Sequence, residues 1–311
     1  MNESSHIPVL CDDVVRLLHP EAGQTYFDGT AGYGGHAAAV HEKMGPSGRL
    51  LLVDRDAQAV TALRSRFGTS ATILHDDYLH AATELLASGD RLDMVLLDLG
   101  VSSPQLDQAS RGFSFSADGP LDMRMDQSED TDSARTAATI VNTMGEGELA
   151  DLIYAFGEER QSRRIASAIV RARPITTTSQ LAEVVAAAIG RGQKIHPATR
   201  TFQALRIAVN SELEQLEAVL PVLVQLLKPG GRLAVISFHS LEDRVVKEFF
   251  RRQSRDCICP PEQPICTCDH VASLRILTKS PVLGTTDAFN PRARSAKLRA
   301  AVKLTPKPKE A

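Results

Sequence analysis

Residues Thr25–His36 read TYFDGTAGYGGH. A short β-type run ends at Asp28, a loop with four glycines follows, and residues 37–40 favour a helix. Glycine allows positive φ and lets the backbone approach a ligand without a Cβ in the way. The free N–H groups at the start of the helix then face that ligand. The segment therefore predicts a strand, a loop and a helix that bind a ligand at the head of a parallel sheet.

A second acid ends the next predicted strand, where Leu50–Val53 runs into Asp54. An acid at this position binds the ribose of nucleoside cofactors. The glycine order departs from G-x-G-x-x-G, and Asp28 would repel a pyrophosphate, so a dinucleotide is disfavoured. A ligand with an ammonium and a sulfonium suits these acids, and S-adenosylmethionine is the predicted cofactor. For the glycine loop alone, the alternative is an ordinary βα turn.

The bulk composition is that of a soluble globular protein. The 311 residues are 43% apolar and 23% charged, enough for one large domain or two ordinary ones. No apolar run is long enough for a membrane span, and residues 1–6 show no secretory signal, so the expected location is cytoplasmic. The sequence leaves open whether the chain forms a homodimer.

The net charge of −3 is unevenly distributed. Residues 1–100 hold 7 Lys+Arg against 14 Asp+Glu, whereas residues 271–311 hold 9 against 2, and 151–210 hold 9 against 4. This asymmetry is consistent with an anionic partner at some surfaces. Solvated basic faces without a partner explain the charge equally well.

Strand and helix patterns alternate from residue 25 to residue 98. The strand runs are apolar throughout, so both faces of the sheet should be covered, as in a doubly wound α/β sheet. Residues 106–205 then show helical patterns until the strand candidate Leu233–Ser237. We therefore expect a discontinuous sheet domain, 1–105 and 206–311, with an inserted all-helical domain at 106–205.

The turn after the fourth strand, Leu92–Asp98, carries candidate catalytic groups. Asp98, Ser102 or a backbone carbonyl near Pro104 could accept the hydrogens of an exocyclic base amine. The lone pair of such an amine is delocalised into the ring, so acceptors would help it attack a sulfonium methyl. The alternative is a solvent-facing turn in which Asp98 merely bonds nearby N–H groups.

Four cysteines lie close together in the sequence. Cys257, Cys259, Cys266 and Cys268 form two C-x-C pairs and have the ligand number of a structural zinc site. The spacing differs from the usual C-x₂-C, so a reduced, metal-free loop is the alternative.

Basic and polar groups follow the last strands. His239, Arg292 and Arg294, together with Arg200 of the helical part, are candidate contacts to RNA phosphates and unstacked bases. A hydrolase set that uses Ser237 and Asp243 is disfavoured because no G-x-S-x-G motif is present.

Several stretches together resemble one family, the bacterial small-subunit ribosomal RNA (cytosine-N(4))-methyltransferases (RsmH or MraW). The similarity extends from residue 6 to about residue 304. The motifs that carry it are residues 28–30, 34–36, 54–56, 97–107, 111–115, 119–125, 157–160, 196–203, 236–244 and 290–295.

The resemblance implies a class I, Rossmann-like methyltransferase sheet with a helical insertion that recognises RNA. It also implies methylation of a cytidine in the decoding region of 16S ribosomal RNA in the small subunit. A ribosome-binding assembly factor with a vestigial cofactor site, or an NAD-dependent oxidoreductase, are the alternatives. The family's cofactor residues match Gly34, Gly35, His36, Asp54, Tyr78, Asp98 and Gln105, with Phe commonly in place of Tyr78.

Overall fold

A computed structural model describes residues 8–127, 135–190, 195–263, 265–285 and 291–305, apart from the side chains of Ser103, Pro291 and Arg292. The described chain divides into two compact units. The first comprises residues up to Gly100 and from Glu214 onward, and the second comprises Val101–Leu213. The predicted boundary at 205/206 would cut through a helix, Thr199–Asn210, whose Leu205 and Ala208 lie in the core of the second unit.

The first unit is built on one sheet. Its strands are β1 (Thr25–Asp28), β2 (Arg49–Asp54), β3 (Ala71–His75), β4 (Leu92–Asp98), β5 (Leu227–Ser237), β6 (Leu274–Ile276), β7 (Val282–Leu283) and β8 (Lys297–Lys303). The order is β3-β2-β1-β4-β5-β8-β6, and β7 also pairs with β8. The pairs from β3 to β5 are parallel, whereas β8 is antiparallel to its neighbours.

Both faces of the sheet are covered, as the apolar strand runs predict. One face packs Leu50, Leu52 and Leu96 against α1 (Cys11–Leu18), α2 (Gly35–Met44) and α3 (Ala57–Phe67). The other face packs the alternate strand residues against α4 (Tyr78–Ala87) and two later helices, α11 (Glu212–Leu226) and α12 (Ser240–Gln253). The fold is therefore a doubly wound α/β sheet, as predicted.

The segment Lys228–Gly231 has the Pro-Gly-Gly composition of a turn between a helix and a strand, but the structure has it as part of a strand. It lies within β5, where the register against β4 shifts between Leu92 and Met94. Two glycines and a proline suit such an irregularity because the ladder is interrupted there.

The second unit is helical. Its helices are α5 (Ser103–Asp107), α6 (Ala137–Thr143), α7 (Glu146–Gly157), α8 (Ser162–Ala172), α9 (Thr178–Ile189) and α10 (Thr199–Asn210). Its core includes Leu149, Ile153, Ile165, Leu181 and Leu205, spaced three or four residues apart where they share a helix. Within the described residues of both units, no helix combines the length and apolar character needed to cross a bilayer.

Candidate functional site

Three carboxylates lie at the same edge of the sheet. Asp28, Asp54 and Asp98 end β1, β2 and β4, which are adjacent and parallel. Asp28 pairs with Leu52 of β2 and with Leu96 of β4. Leu52 lies two residues before Asp54, and Leu96 lies two residues before Asp98. Because side chains alternate along a strand, all three acids extend the same face of the sheet. They surround the point where the strand order reverses, which is where doubly wound sheets bind ligands.

Asp28 is the most deeply buried of these acids. It accepts hydrogen bonds from the Tyr26 hydroxyl (2.9 Å) and the Thr30 backbone N–H (3.2 Å). Burial raises the pKa of Asp28 to about 6, although the nearby His36 and these two donors act in the opposite direction. Asp28 therefore holds its negative charge only weakly near neutral pH, and a cationic ligand would stabilise that charge.

Asp98 has an unsatisfied oxygen. Its Oδ1 is buried and has no hydrogen-bond partner, while its backbone N–H donates to Thr30 Oγ1 (2.6 Å). Burial, followed by repulsion from the Glu242 carboxylate, raises the pKa of Asp98 to about 7. The side chain as a whole is 26% exposed, so a ligand can reach the carboxylate through atoms other than Oδ1. A buried acceptor without a donor is costly, and at the carboxyl edge of the sheet it makes this carboxylate a candidate contact for a ligand.

His36 is buried beside Asp98. Its Nε2 lies 2.9 Å from the carbonyl oxygen of Val9, which can only accept, so Nε2 carries the proton. Burial lowers the pKa of His36, and the neutral ring presents the Nδ1 lone pair 3.7 Å from Asp98 Oδ2. The His36 ring therefore lies within the candidate site. Besides starting α2, it contacts the Val9 carbonyl through Nε2 and lies beside Asp98 through Nδ1.

Asp54 holds the glycine loop in place. Its Oδ2 accepts from the Gly32 N–H (2.8 Å) and its Oδ1 from the Asp56 N–H (2.9 Å). Burial raises the pKa of Asp54, and these two N–H groups act against that rise. The predicted ribose-binding acid therefore also fixes the backbone that precedes α2.

The glycines of the loop are required by close packing. Gly34 has φ +76°, and a Cβ there would lie 2.5 Å from the Phe67 ring. A Cβ on Gly35 would lie 3.2 Å from Pro8. Gly34 caps α2 without a side chain, so the first N–H groups of the helix are not covered by a capping side chain.

Tyr78 begins α4, three residues after β3, and is half-buried against the apolar cluster of that sheet face. A Cβ on Gly29 would approach Tyr78 Cβ to 2.9 Å, so the tyrosine lies beside the glycine loop. This position is compatible with the predicted stacking on adenine and equally with a cover over the core edge.

Ser102, Pro104 and Gln105 belong to the helical unit. Ser102 and Gln105 form a capping box, in which Gln105 Oε1 accepts from the Ser102 N–H (2.9 Å) and Ser102 Oγ accepts from the Gln105 N–H (3.4 Å). Pro104 lies in the first turn of α5. The spacing S-x-x-Q was the available sequence signal for this cap.

The predicted RNA contacts have different environments. Arg200 donates to the Glu158 carbonyl (3.1 Å) and its side chain is 43% exposed, and Arg294 is exposed. His239 instead caps α12: its Nδ1 accepts from the Glu242 N–H, and its side chain is only 8% exposed. Such burial makes His239 a poor direct RNA contact. The side chain of Arg292 lies outside the described residues.

The rejected hydrolase set is not assembled. Asp243 binds Arg299 through two hydrogen bonds, the shorter 2.6 Å, and lies 3.5 Å from Lys297. Ser237 Oγ lies 3.4 Å from the Lys297 carbonyl. None of the interactions given for these side chains joins serine, histidine and aspartate in a relay.

The four clustered cysteines of the first unit converge in the segment between α12 and β6. Their Sγ atoms all lie within 4.8 Å of one another. They are the only group of thiols within this distance in the described residues.

A doubly wound sheet of this order, with a glycine loop after β1 and acids ending β1, β2 and β4, defines a class I S-adenosylmethionine-dependent methyltransferase. Residues 3–304 match the profile of the MraW methylase family. The chain belongs to this family.

Several relatives are similar to this chain from end to end. Proteins named "Ribosomal RNA small subunit methyltransferase H" are similar over almost their whole length. That of Geobacter sulfurreducens is 52% identical, with 96% of this chain and 99% of the relative aligned. Those of Trichlorobacter lovleyi (51%; 98% and 100%) and Heliobacterium mobile (47%; 97% and 100%) are comparable.

Proposed function

We propose that this protein transfers the methyl group of S-adenosylmethionine to the exocyclic 4-amino group of one cytidine in the decoding region of 16S ribosomal RNA. The names of the relatives support methylation of small-subunit ribosomal RNA. The cytosine amine as target is supported by Asp98, whose Oδ1 is a buried acceptor without a partner. That oxygen is the observation on which the proposal rests.

The edge of the sheet that carries Asp28, Asp54 and Asp98, called the rim here, has residues that fit S-adenosylmethionine. Burial is the leading cause of the raised pKa of both Asp28 and Asp98, so a ligand with an ammonium and a sulfonium would stabilise both carboxylates. When bound, this cofactor supplies an activated methyl group. Within the first unit, the glycine loop, His36, Asp54 and Tyr78 would hold it.

In this proposal Asp98 acts on the base. Its carboxylate accepts a hydrogen bond from the amine, orients the nitrogen lone pair toward the methyl group, and stabilises the positive charge that develops on nitrogen. Burial, with repulsion from the Glu242 carboxylate, keeps the pKa of Asp98 high enough for the carboxylate to take the proton that the amine then loses. The target base has to leave its stack to reach the rim.

The RNA backbone is assigned to the helical unit and to the basic C-terminal part of the chain. Arg200 and Arg294 are exposed cations in these two parts. The proposed site of action is cytoplasmic, on RNA or the small subunit, and formation of a homodimer stays an open prediction.

The direct test uses labelled S-adenosylmethionine and small subunits that lack the modification. We expect label in 16S RNA, and N4-methylcytidine at one position after nucleoside digestion and mass spectrometry. Methyl groups on another base would contradict the cytosine assignment. Absence of label together with absence of S-adenosylmethionine binding in calorimetry would favour an assembly factor with a vestigial cofactor site.

The affinity for S-adenosylmethionine should depend on pH. Protonated Asp98 and Asp28 attract a cation less, so binding should tighten as pH rises through their pKa values of about 7 and about 6. Each carboxylate contributes at most about tenfold per pH unit. Calorimetry from about pH 5.5 to pH 8 measures the affinity for S-adenosylmethionine. In Asp98→Asn, the change in affinity near pH 7 should be absent. Equal affinity at all pH values would contradict a carboxylate-lined cofactor site.

A further inference from the structure

The segment between α12 and β6, residues 254–273, has little apolar core of its own. Ile265 is 74% exposed, and Cys257 and Cys266 are exposed as well. Ordering such a segment has an entropic cost for every residue, and apolar burial offsets little of it here. Hydrogen bonds and the four thiols are the interactions that can hold the segment.

We propose that Cys257, Cys259, Cys266 and Cys268 bind one zinc ion as a structural site. Three of the Sγ–Sγ distances are 3.5 Å (Cys266–Cys268), 3.9 Å (Cys257–Cys268) and 4.0 Å (Cys259–Cys266). Four thiolates at a Zn–S distance of about 2.3 Å in a tetrahedron lie about 3.8 Å apart. A disulfide would need about 2.05 Å between two of them.

The backbone around the sulfurs supports thiolates. The Ile258 N–H donates to Cys268 Sγ (3.4 Å) and the Thr267 N–H donates to Cys259 Sγ (3.5 Å). Each C-x-C pair therefore lies beside a backbone donor to a sulfur of the other pair. The N–H groups of Cys259 and His270 hydrogen-bond to Cys257 and Cys268 Sγ. Such donors form the outer shell that stabilises metal-bound thiolates.

The site is structural because four protein ligands leave no open position for a substrate or water. It would connect the end of α12 to the start of β6, where His270 Nε2 already contacts the Arg252 carbonyl and Ser273 Oγ donates to Gln253 Oε1. Binding zinc would therefore order the crossing from α12 to the outer part of the sheet.

Metal content measures the site directly. The full chain, purified under reducing conditions without chelator, should hold about one zinc per chain. Cys266→Ser and Cys257→Ser should retain less than roughly a tenth of this. Cys11→Ser is the matched control, because Cys11 lies in α1, outside the cluster, and it should retain the full content.

Two readouts keep the test independent of folding. Unmutated chain depleted of zinc and loaded with cobalt(II) should show the visible absorption of a tetrahedral thiolate complex. Trypsin should cleave after Arg255 faster in the depleted chain. Three results would each overturn the zinc assignment. They are a chain that takes up no zinc and no cobalt, two disulfides among the four cysteines in mass spectrometry, and iron as the bound metal.

Discussion

Asp98→Asn is expected to lower the kcat of methyl transfer by about 10²–10⁴-fold, the usual contribution of a positioned general base. The amide keeps the shape of the side chain, but it cannot accept the proton of the cytosine amine or stabilise positive charge there. Single-turnover transfer from labelled S-adenosylmethionine to small subunits measures the loss.

The stability of the same variant separates catalysis from folding. Because the folded-state pKa of Asp98 is raised to about 7 from 3.8, the folded wild type binds more protons between these values, and its free energy of unfolding falls as pH rises through that window. Asp98→Asn should remove this slope, and its Tm at about pH 8 should equal or exceed that of the wild type. Wild-type turnover would remove Asp98 from the mechanism, and a large drop in Tm would indicate a structural role.

Asp54→Ala is expected to weaken S-adenosylmethionine binding by roughly 10–100-fold, because it removes a charge-assisted contact to the ribose and frees the glycine loop. The Gly32 and Asp56 N–H groups lose their acceptor, which costs about 1–3 kcal/mol of stability for a buried donor. Calorimetry of cofactor binding and thermal unfolding measure the two effects separately.

Asp77→Ala is the matched control for this variant. Asp77 also follows a strand of the sheet and accepts two backbone N–H groups, those of Leu79 and His80, at the start of α4. Its removal should destabilise the fold to a similar degree and leave cofactor affinity within about threefold, since lost helix caps cost about 1 kcal/mol. Equal loss of affinity in both variants would mean that Asp54 acts only through the fold.

The sheet was predictable because its strands are strong local signals. Within Leu92–Asp98, the run Met94–Leu97 is apolar and buried, and the helices at 57–67 and 178–189 lie where the alternating and helical patterns of the sequence predict helices. The weak elements were missed for physical reasons. β6 and β7 have three and two residues, too few for any period, and the seven-residue helix α6 is held mainly by burial of Ile140 and Val141.

The site was predictable only in part. Acids that end parallel strands must meet at one edge, so Asp28, Asp54 and Asp98 could be grouped from sequence. The roles of Glu242 and Tyr26 could not be predicted from residue spacing. Glu242 belongs to α12 and acts on the pKa of Asp98, which ends β4, and Tyr26 donates a hydrogen bond to Asp28 within the core. Likewise, sequence alone gave His239 an RNA contact, whereas packing makes it a helix cap.

The placement of β8 between β5 and β6 has a consequence for biosynthesis. β5 precedes β8 by sixty residues along the chain, yet the two form a six-residue antiparallel ladder. Until Lys297–Lys303 leaves the ribosome, one hydrogen-bonding edge of β5 has no neighbour from its own sheet, and such edges recruit other chains. Nascent or prematurely ended polypeptides of this enzyme should therefore depend on chaperones more than the finished protein does.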